Sequence, residues 1–569
     1  MFREVYSASK GRLNRPGFGR RHYGIQEGTG TMSEATCIVT HDVGTTGNKS
    51  CIYRIADRIE LVDSWLVEYP FYTTPDGGVE QRADDWWNAI CTATKAIMAR
   101  TKLDPKAIKG MAFCAQMQGS IFVDEEGNAL RNPMSYMDGR AVKQIERFLY
   151  NGLIRIEKWN ARIVLKSLYL TGGLAATAKD PLYKYHWVKD NEPEIFARAH
   201  KWLDVKDYLI HRCTGKFGMT QDSANITFLY DTRPGKLKWH KGLCKTFNVN
   251  MDHLPPVVRS TDVVGRLTAQ AAAQMGLAEG IPVFGGGGDV PLTQIGAGCT
   301  KVHDTHIYVG TSGWVVSNVD KRMVDVGNFI ASILGAVPGV YNYVAEQETS
   351  GACLKWVRDH LALDEIGVYL EAQHVCEKNQ EYESLFDYLN KVMEGTPPGS
   401  GGVIFTPWLH GNRSPREDPY SRGMFFNLSL TTGKRQMIRS VLEGMAYHKR
   451  WMLEAMEKKI PYRESLRFVG GGARSRVGCQ IMADVTGRRI ETIDNCVNAG
   501  TIGASVVCAV GLGIMKSFED AHSLVPAVKT YEPRKEHKAM YDRQFQVFTK
   551  LYEKNAKLFR ALNGDAVEK

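Results

Sequence analysis

The segment from Gly280 to Gly313 reads GIPVFGGGGDVPLTQIGAGCTKVHDTHIYVGTSG, and the rest of the chain is interpreted around it. An apolar run ends in four glycines, Gly285 to Gly288, which deliver one carboxylate, Asp289. A second apolar run, Ile307-Tyr308-Val309, delivers Gly310-Thr311-Ser312-Gly313. The pattern reads as a crossover through an enzyme cleft, with the chain before it and the chain after it each building one wall. The glycines leave room for a substrate to lie against the backbone. A carboxylate at their end is placed to accept a hydroxyl proton while that oxygen attacks a γ-phosphate. The competing reading of Asp289 is a plain turn residue.

The first part of the chain carries an echo of this segment. Ile38-Val39-Thr40-His41-Asp42-Val43-Gly44-Thr45-Thr46-Gly47 matches His306 to Gly313, each an apolar strand ending in Gly-Thr-Thr/Ser-Gly. Two related lobes, each offering a phosphate-binding hairpin, account for the repetition. In the first hairpin, Gly44, Thr45 and Thr46 supply backbone N–H groups and hydroxyls to an anion. Lys49 adds positive charge, and Asp42 at the strand end is placed to hold Mg²⁺. Gly310 and Thr311 repeat the phosphate chemistry. A third glycine cluster, Gly470-Gly471-Gly472-Ala473-Arg474-Ser475, stands between a strand and a helix. Its glycines are contiguous rather than G-x-G-x-x-G, so it reads as a flat backbone surface for an adenosine, with a helix N-terminus near a phosphate.

Local patterns complete the outline. Three strand patterns between Ala35 and Glu68 predict an antiparallel meander. Asp84 reads as the N-cap of a helix whose Trp86-Trp87 pair packs in the core. Met134 to Arg140 reads as opening a helix, Tyr382 to Met393 and Gln436 to Ala455 as helices. Asn495 to Met515 is uncharged over 21 residues but holds four glycines. It reads as a buried helix against a close neighbour rather than a membrane span. The tail from Pro533 reads as a charged helix on an exterior face.

Composition bounds the function class. The chain has 569 residues, 43% hydrophobic and 24% charged, the profile of a globular protein with a large core. Net charge is +10, and the Gly/Arg-rich stretch before Met32 supplies part of it. That suits an anionic substrate such as a nucleotide, and no nucleic-acid motif is visible. The twelve cysteines include no C-x-x-C pair, which fits reduced thiols of a cytoplasmic protein. No apolar signal segment opens the chain, and residues 1–32 read as a disordered basic extension. Walker-A, protein-kinase and H-E-x-x-H patterns are absent from the sequence.

Taken together the motifs resemble the FGGY family of carbohydrate kinases, members of the actin-like ATPase superfamily, over about residues 35 to 545. DVGTTGNK is similar to the family's first phosphate motif and FGGGGD to its catalytic-aspartate motif. YVGTSG is similar to the second phosphate motif and VGGGARSRVGCQIMADVTG to the adenosine motif. GNRSPREDPYSRG and RSVLEGMAY are also like family segments. The resemblance implies an α/β fold of two ribonuclease-H-like lobes around a central cleft. Residues 33–300 would form the sugar-binding lobe, 301–532 the ATP-binding lobe and 533–569 a helical tail.

The resemblance also implies site roles. Asp289 would be the catalytic base and, with Asp42, would stand at the Mg²⁺. Gly310, Thr311, Gly471, Gly472 and Ala473 would contact ATP, and Ser475 belongs to the same motif. AQMQG and MSYMDGRA are similar to xylulokinase segments, which implies Met117, Gln118, Asp138 and Arg140 at the sugar. Xylulokinases usually carry His where this chain has Gln118. The implied activity is ATP-dependent phosphorylation of a ketopentose or related polyol, with no nucleic-acid or membrane partner and with a homodimer left open. Its rivals are an actin-like ATPase working without sugar and a non-catalytic sugar-binding regulator.

Overall fold

A computed structural model of the chain describes residues 36–156, 158–361 and 390–567. The expected extension at residues 1–32 and most of the helix expected at 382–393 lie outside them.

The chain opens with β1 (Thr36–Val43), β2 (Gly47–Ile55) and β3 (Ile59–Glu68), then α1 (Ala83–Thr101) and β4 (Ile108–Ala115). Later come β5 (Val263–Arg266), β6 (Pro282–Phe284), β7 (Gly287–Gly288) and α2 (Asp289–Gly296). The meander is present: β1 pairs antiparallel with β2, and β2 with β3. β4 and β6 then add in parallel and β5 closes the edge antiparallel, giving the order β5-β6-β4-β1-β2-β3.

The second half repeats this plan. It contains β8 (Thr305–Val309), β9 (Gly313–Val319), β10 (Tyr341–Gln347), α3 (Gly351–His360) and α4 (Lys434–Met456). After these come β11 (Ser465–Val469), α5 (Arg476–Thr486), β12 (Arg489–Ile493), α6 (Ala499–Gly511), β13 (Ala527–Tyr531) and α7 (Lys538–Val567). The sheet runs β10-β9-β8-β11-β12-β13, with two further strands beyond β10. Again three antiparallel strands precede two parallel ones and an antiparallel edge. The sequence echo between the two Gly-Thr hairpins is therefore a repetition of whole sheets. The fold is the two-lobed, ribonuclease-H-like architecture of actin-like ATPases.

The uncharged segment near residue 500 forms α6, and its burial comes from both halves. It packs against β1, β4 and α2 while following β12 in sequence. One apolar cluster accordingly mixes Ile38, Cys51 and Phe284 with Val469, Ile493 and Val506. Among the described residues no helix is long and apolar enough to cross a membrane.

Two local expectations differ from the structure. α1 starts at Ala83, so Asp84 and Asp85 lie in its first turn, where carboxylates favour the positive end of the helix dipole. Met134 to Arg140 forms no helix, because Asp138 binds backbone and Arg140 instead. α7 packs on the second core by one face, where Tyr541, Phe545 and Phe548 are buried and the Tyr541 hydroxyl donates to Glu443 at 2.8 Å, while Leu558 and Leu562 are exposed.

Candidate active site

The glycine quartet gains its form from the protein around it. β7 pairs in parallel with the end of β4, Gly287 beside Cys114 and Gly288 beside Ala115. Gly286 has φ +64°, and a Cβ there would stand 2.2 Å from Phe113 O. At Gly285 a Cβ would meet Arg259 O at 2.6 Å, and at Gly288 it would meet Met117 Sδ at 2.3 Å. Gly285, Gly286 and Gly288 thus let the strand fold over neighbouring backbone and Met117. This corrects the expectation that they make space for a substrate. Gly288 then serves as N-cap, so Asp289 is the first residue of α2.

Asp289 stands half-buried on the wall of a cavity of about 720 Å³. Val290 N donates to its Oδ1 at 2.9 Å. Burial pushes its carboxyl up to about 8, and the nearby Asp42 carboxylate adds to the shift. Asp42, at the end of β1, is also raised by burial and is held down by Lys49, its register partner on β2. Two carboxylates converging on one cavity suit a hard divalent cation. Magnesium is commonly held by one or two carboxylates together with substrate phosphates.

The first hairpin lies along the same cavity, lined by Gly44, Thr45, Thr46 and Lys49. Gly44 N donates to Gly47 O at 3.0 Å, closing the turn, and Tyr69 clamps it through Gly44 O at 2.6 Å. Lys49 Nζ donates to Val497 O at 2.7 Å, which ties the hairpin to the start of α6. The second hairpin contributes Thr311, Ser312 and Gly313, while Gly310 sits one step behind the cavity wall. The third glycine cluster packs on Val309, with a Cβ at Gly472 falling 2.6 Å from Val309 Cγ1. Gly471, Gly472 and Ala473 are therefore next to the second hairpin but outside the cavity lining. Ser475 is committed elsewhere: its Oγ caps α5 by accepting from Gly478 N at 2.9 Å and donates to Asn390 at 2.8 Å. This corrects its expected place among the direct ATP contacts.

Of the residues expected at the sugar, Met117 and Gln118 line the cavity, and Asp138 and Arg140 do not. Asp138 is fully buried, accepting from Val79 N at 2.9 Å and pairing with Arg140 at 2.8 Å. Arg140 also pairs with Glu80. Both groups are satisfied within the fold, which corrects their expected contact with the sugar. They brace the loop that presents Tyr136 to the cavity.

No motif or spacing in the sequence marks the supports beneath these loops. Buried Lys184 donates to Gln118 O at 3.0 Å and to Ser135 O at 2.6 Å, and burial lowers its amine to about 8. Asp222 accepts from Gly288 N at 2.6 Å, immediately before Asp289. Asp204 accepts from Gly119 N at 2.9 Å, and Lys206, through Ser223, links these acids into one buried network. Such side chains lie scattered through helical and loop sequence, so spacing alone could not pair them. Asp222→Ala is expected to leave a buried N–H unsatisfied, costing about 1–3 kcal/mol of stability. It should also lower kcat on the order of 10- to 100-fold by misplacing Asp289. Melting temperature and sugar-dependent ADP release check the two effects.

A cavity lined by two Gly-Thr hairpins, with a carboxylate on its wall, is compatible with a phosphotransferase, and comparison with known proteins gives the family. The N-terminal domain model of the FGGY family of carbohydrate kinases matches residues 37–296, and the C-terminal domain model of the same family matches residues 306–512. The chain belongs to the FGGY family of carbohydrate kinases. This FGGY protein is thus a sugar kinase. It is 28% identical over 522 residues to a xylulose kinase of Staphylococcus epidermidis, covering 91% of this chain and 96% of that one. A gluconokinase of Bacillus subtilis is 24% identical over 517 residues, covering 90% and 94%. The solved xylulose kinase of Lactobacillus acidophilus shares the fold with a TM-score of 0.77 at 23% identity, covering 92% and 98%.

Proposed function

We propose that this FGGY kinase transfers the γ-phosphoryl group of ATP to a hydroxyl of a neutral ketopentose, xylulose-like, or a related polyol, with Asp289 as general base. The position of Asp289 carries the reading. It is the first residue of α2, beside Asp42 and between two Gly-Thr hairpins on one cavity wall. The acceptor hydroxyl gives its proton to Asp289 Oδ as its oxygen bonds to the γ-phosphorus, and the bond from that phosphorus to the bridging oxygen of ADP breaks. Backbone N–H groups of the hairpins near Gly44 and Thr311 hold the phosphate oxygens. Asp42, with Asp289 beside it, would hold Mg²⁺, which when bound offsets phosphate charge. Gln118 orients the acceptor, and Trp314 closes the apolar side of the cavity.

The wall favours a neutral acceptor over a sugar acid. Arg413 lines the cavity, but Glu346 pairs with it at 2.7 Å, and Glu348 and Asp180 also act on its charge. A sugar carboxylate would meet a guanidinium already neutralised and two further acids. A coupled ADP-release screen over ketoses, aldoses, polyols and aldonates tests this. Turnover with a ketopentose or polyol is the expected result. Turnover confined to aldonates would refute the acceptor class, and no sugar-stimulated turnover would refute the kinase reading.

A further inference from the structure

Lys449 on α4 is fully buried, and its Nζ has no hydrogen-bond partner. It ends directly beneath the second hairpin. A Cβ built on Gly313 would lie 2.5 Å from Lys449 Nζ, 2.8 Å from Tyr308 O and 2.9 Å from Ser350 Cβ. The buried Ser350 hydroxyl is unpartnered as well. The hairpin itself is firmly held: Ser350 N donates to Thr311 O at 3.0 Å and Gly351 N to Gly310 O at 2.7 Å. One layer of backbone therefore separates an unpaired amine from the loop face that opens on the cavity.

The groups packed around this amine supply no anion. From α3 comes Cys353, whose thiol burial raises to about 12. From β8 comes His306, lowered to about 3 by burial. Its Nε2 accepts from Trp314 Nε1 at 2.9 Å, which puts the ring proton on Nδ1, facing Gln294. His448, the neighbour on α4, is lowered to about 3 and bonds Ser414 O at 2.8 Å. Opposite Gly313 on β10 stands Gln347, which is neutral. Burial without a partner anion disfavours the ammonium and pushes the Lys449 amine well below its ordinary value.

A phosphate chain laid across the hairpin would be the anion this amine lacks. We propose that Lys449 is a positioning residue for the nucleotide: it takes one proton from solvent when phosphates occupy the Gly310–Gly313 loop, and the resulting ammonium holds the loop and its charge from behind. The step forms one N–H bond and consumes one solvent proton. It rests on the reading that this hairpin carries ATP phosphates.

Calorimetric titration of the full chain with ATP and Mg²⁺ near pH 8, in buffers of different ionisation enthalpy, tests the proposal. The wild type is expected to take up close to one proton more than Lys449→Met, which should bind ATP about tenfold more weakly, equivalent to about 1.4 kcal/mol. Lys449→Met should melt at or above the wild-type temperature, since it removes a buried unpaired amine. Lys449→Arg, always charged, should bind ATP without the extra uptake. ATP bound by wild type and Lys449→Met with equal affinity and equal proton uptake would overturn the proposal while sparing the nucleotide reading. Failure of the wild type to bind ATP would overturn both.

Discussion

Asp289→Asn is expected to lower kcat on the order of 10²- to 10⁴-fold, the usual contribution of a positioned general base. ATP binding should stay close to wild type, because the hairpin backbone groups are unaltered. The same substitution carries a distinct stability signature in the ligand-free protein. Burial and Asp42 raise the folded-state pKa of Asp289 to about 8, above the ordinary carboxylate value it has when unfolded. The folded state then holds a proton that the unfolded state has lost, so stability falls as pH rises from the unfolded value through about 8. Asn removes this liability. The melting temperature of Asp289→Asn should exceed that of the wild type, by a margin that widens from about pH 5 to about pH 8.5. An equal margin across that range would show that Asp289 carries no such shift.

The second large effect concerns the crossing of α2 and α6. A Cβ on Gly296 would stand 1.7 Å from Ala499 O, and one on Gly503 would stand 1.9 Å from Leu292 O. Both contacts are with backbone, so no rotamer change can relieve them. Gly296→Ala and Gly503→Ala are each expected to force the helices apart and destabilise the protein by about 3 kcal/mol, the upper part of the overpacking range. Asp289 heads α2, and Gly500 packs against Cys114 and Asp42. Spreading the crossing therefore displaces both site carboxylates, and kcat should fall together with melting temperature. Gly564→Ala, with open space around it, serves as control and should be neutral or mildly stabilising. Wild-type melting and turnover in either crossing variant would refute this account of the glycines.

Much of the architecture was legible because it is local and repeated. The strand–hairpin–strand pattern at Asp42 and again at Gly310 depends on period and turn residues within a short window. The uncharged helix was legible through its small residues. The reason for those residues emerged only with its partner, since α6 finishes its burial on strands hundreds of positions earlier. The errors have a common cause. Asp138, Arg140 and Ser475 carry the right chemistry for a ligand, yet each found a protein partner first. Sequence identifies what a side chain can bond, and the fold decides which partner reaches it. Lys184, Asp222 and Lys449 were missed for the converse reason: nothing near them in sequence marks a buried support.

The central claim, transfer of a phosphoryl group from ATP to a sugar hydroxyl through Asp289, is tested most directly by ³¹P NMR of ATP, Mg²⁺ and the best acceptor from the screen. The account predicts a sugar phosphomonoester signal that grows in step with ADP in the wild type and is nearly lost in Asp289→Asn. ATP consumed to inorganic phosphate without a phosphomonoester, or undiminished transfer in Asp289→Asn, would contradict it.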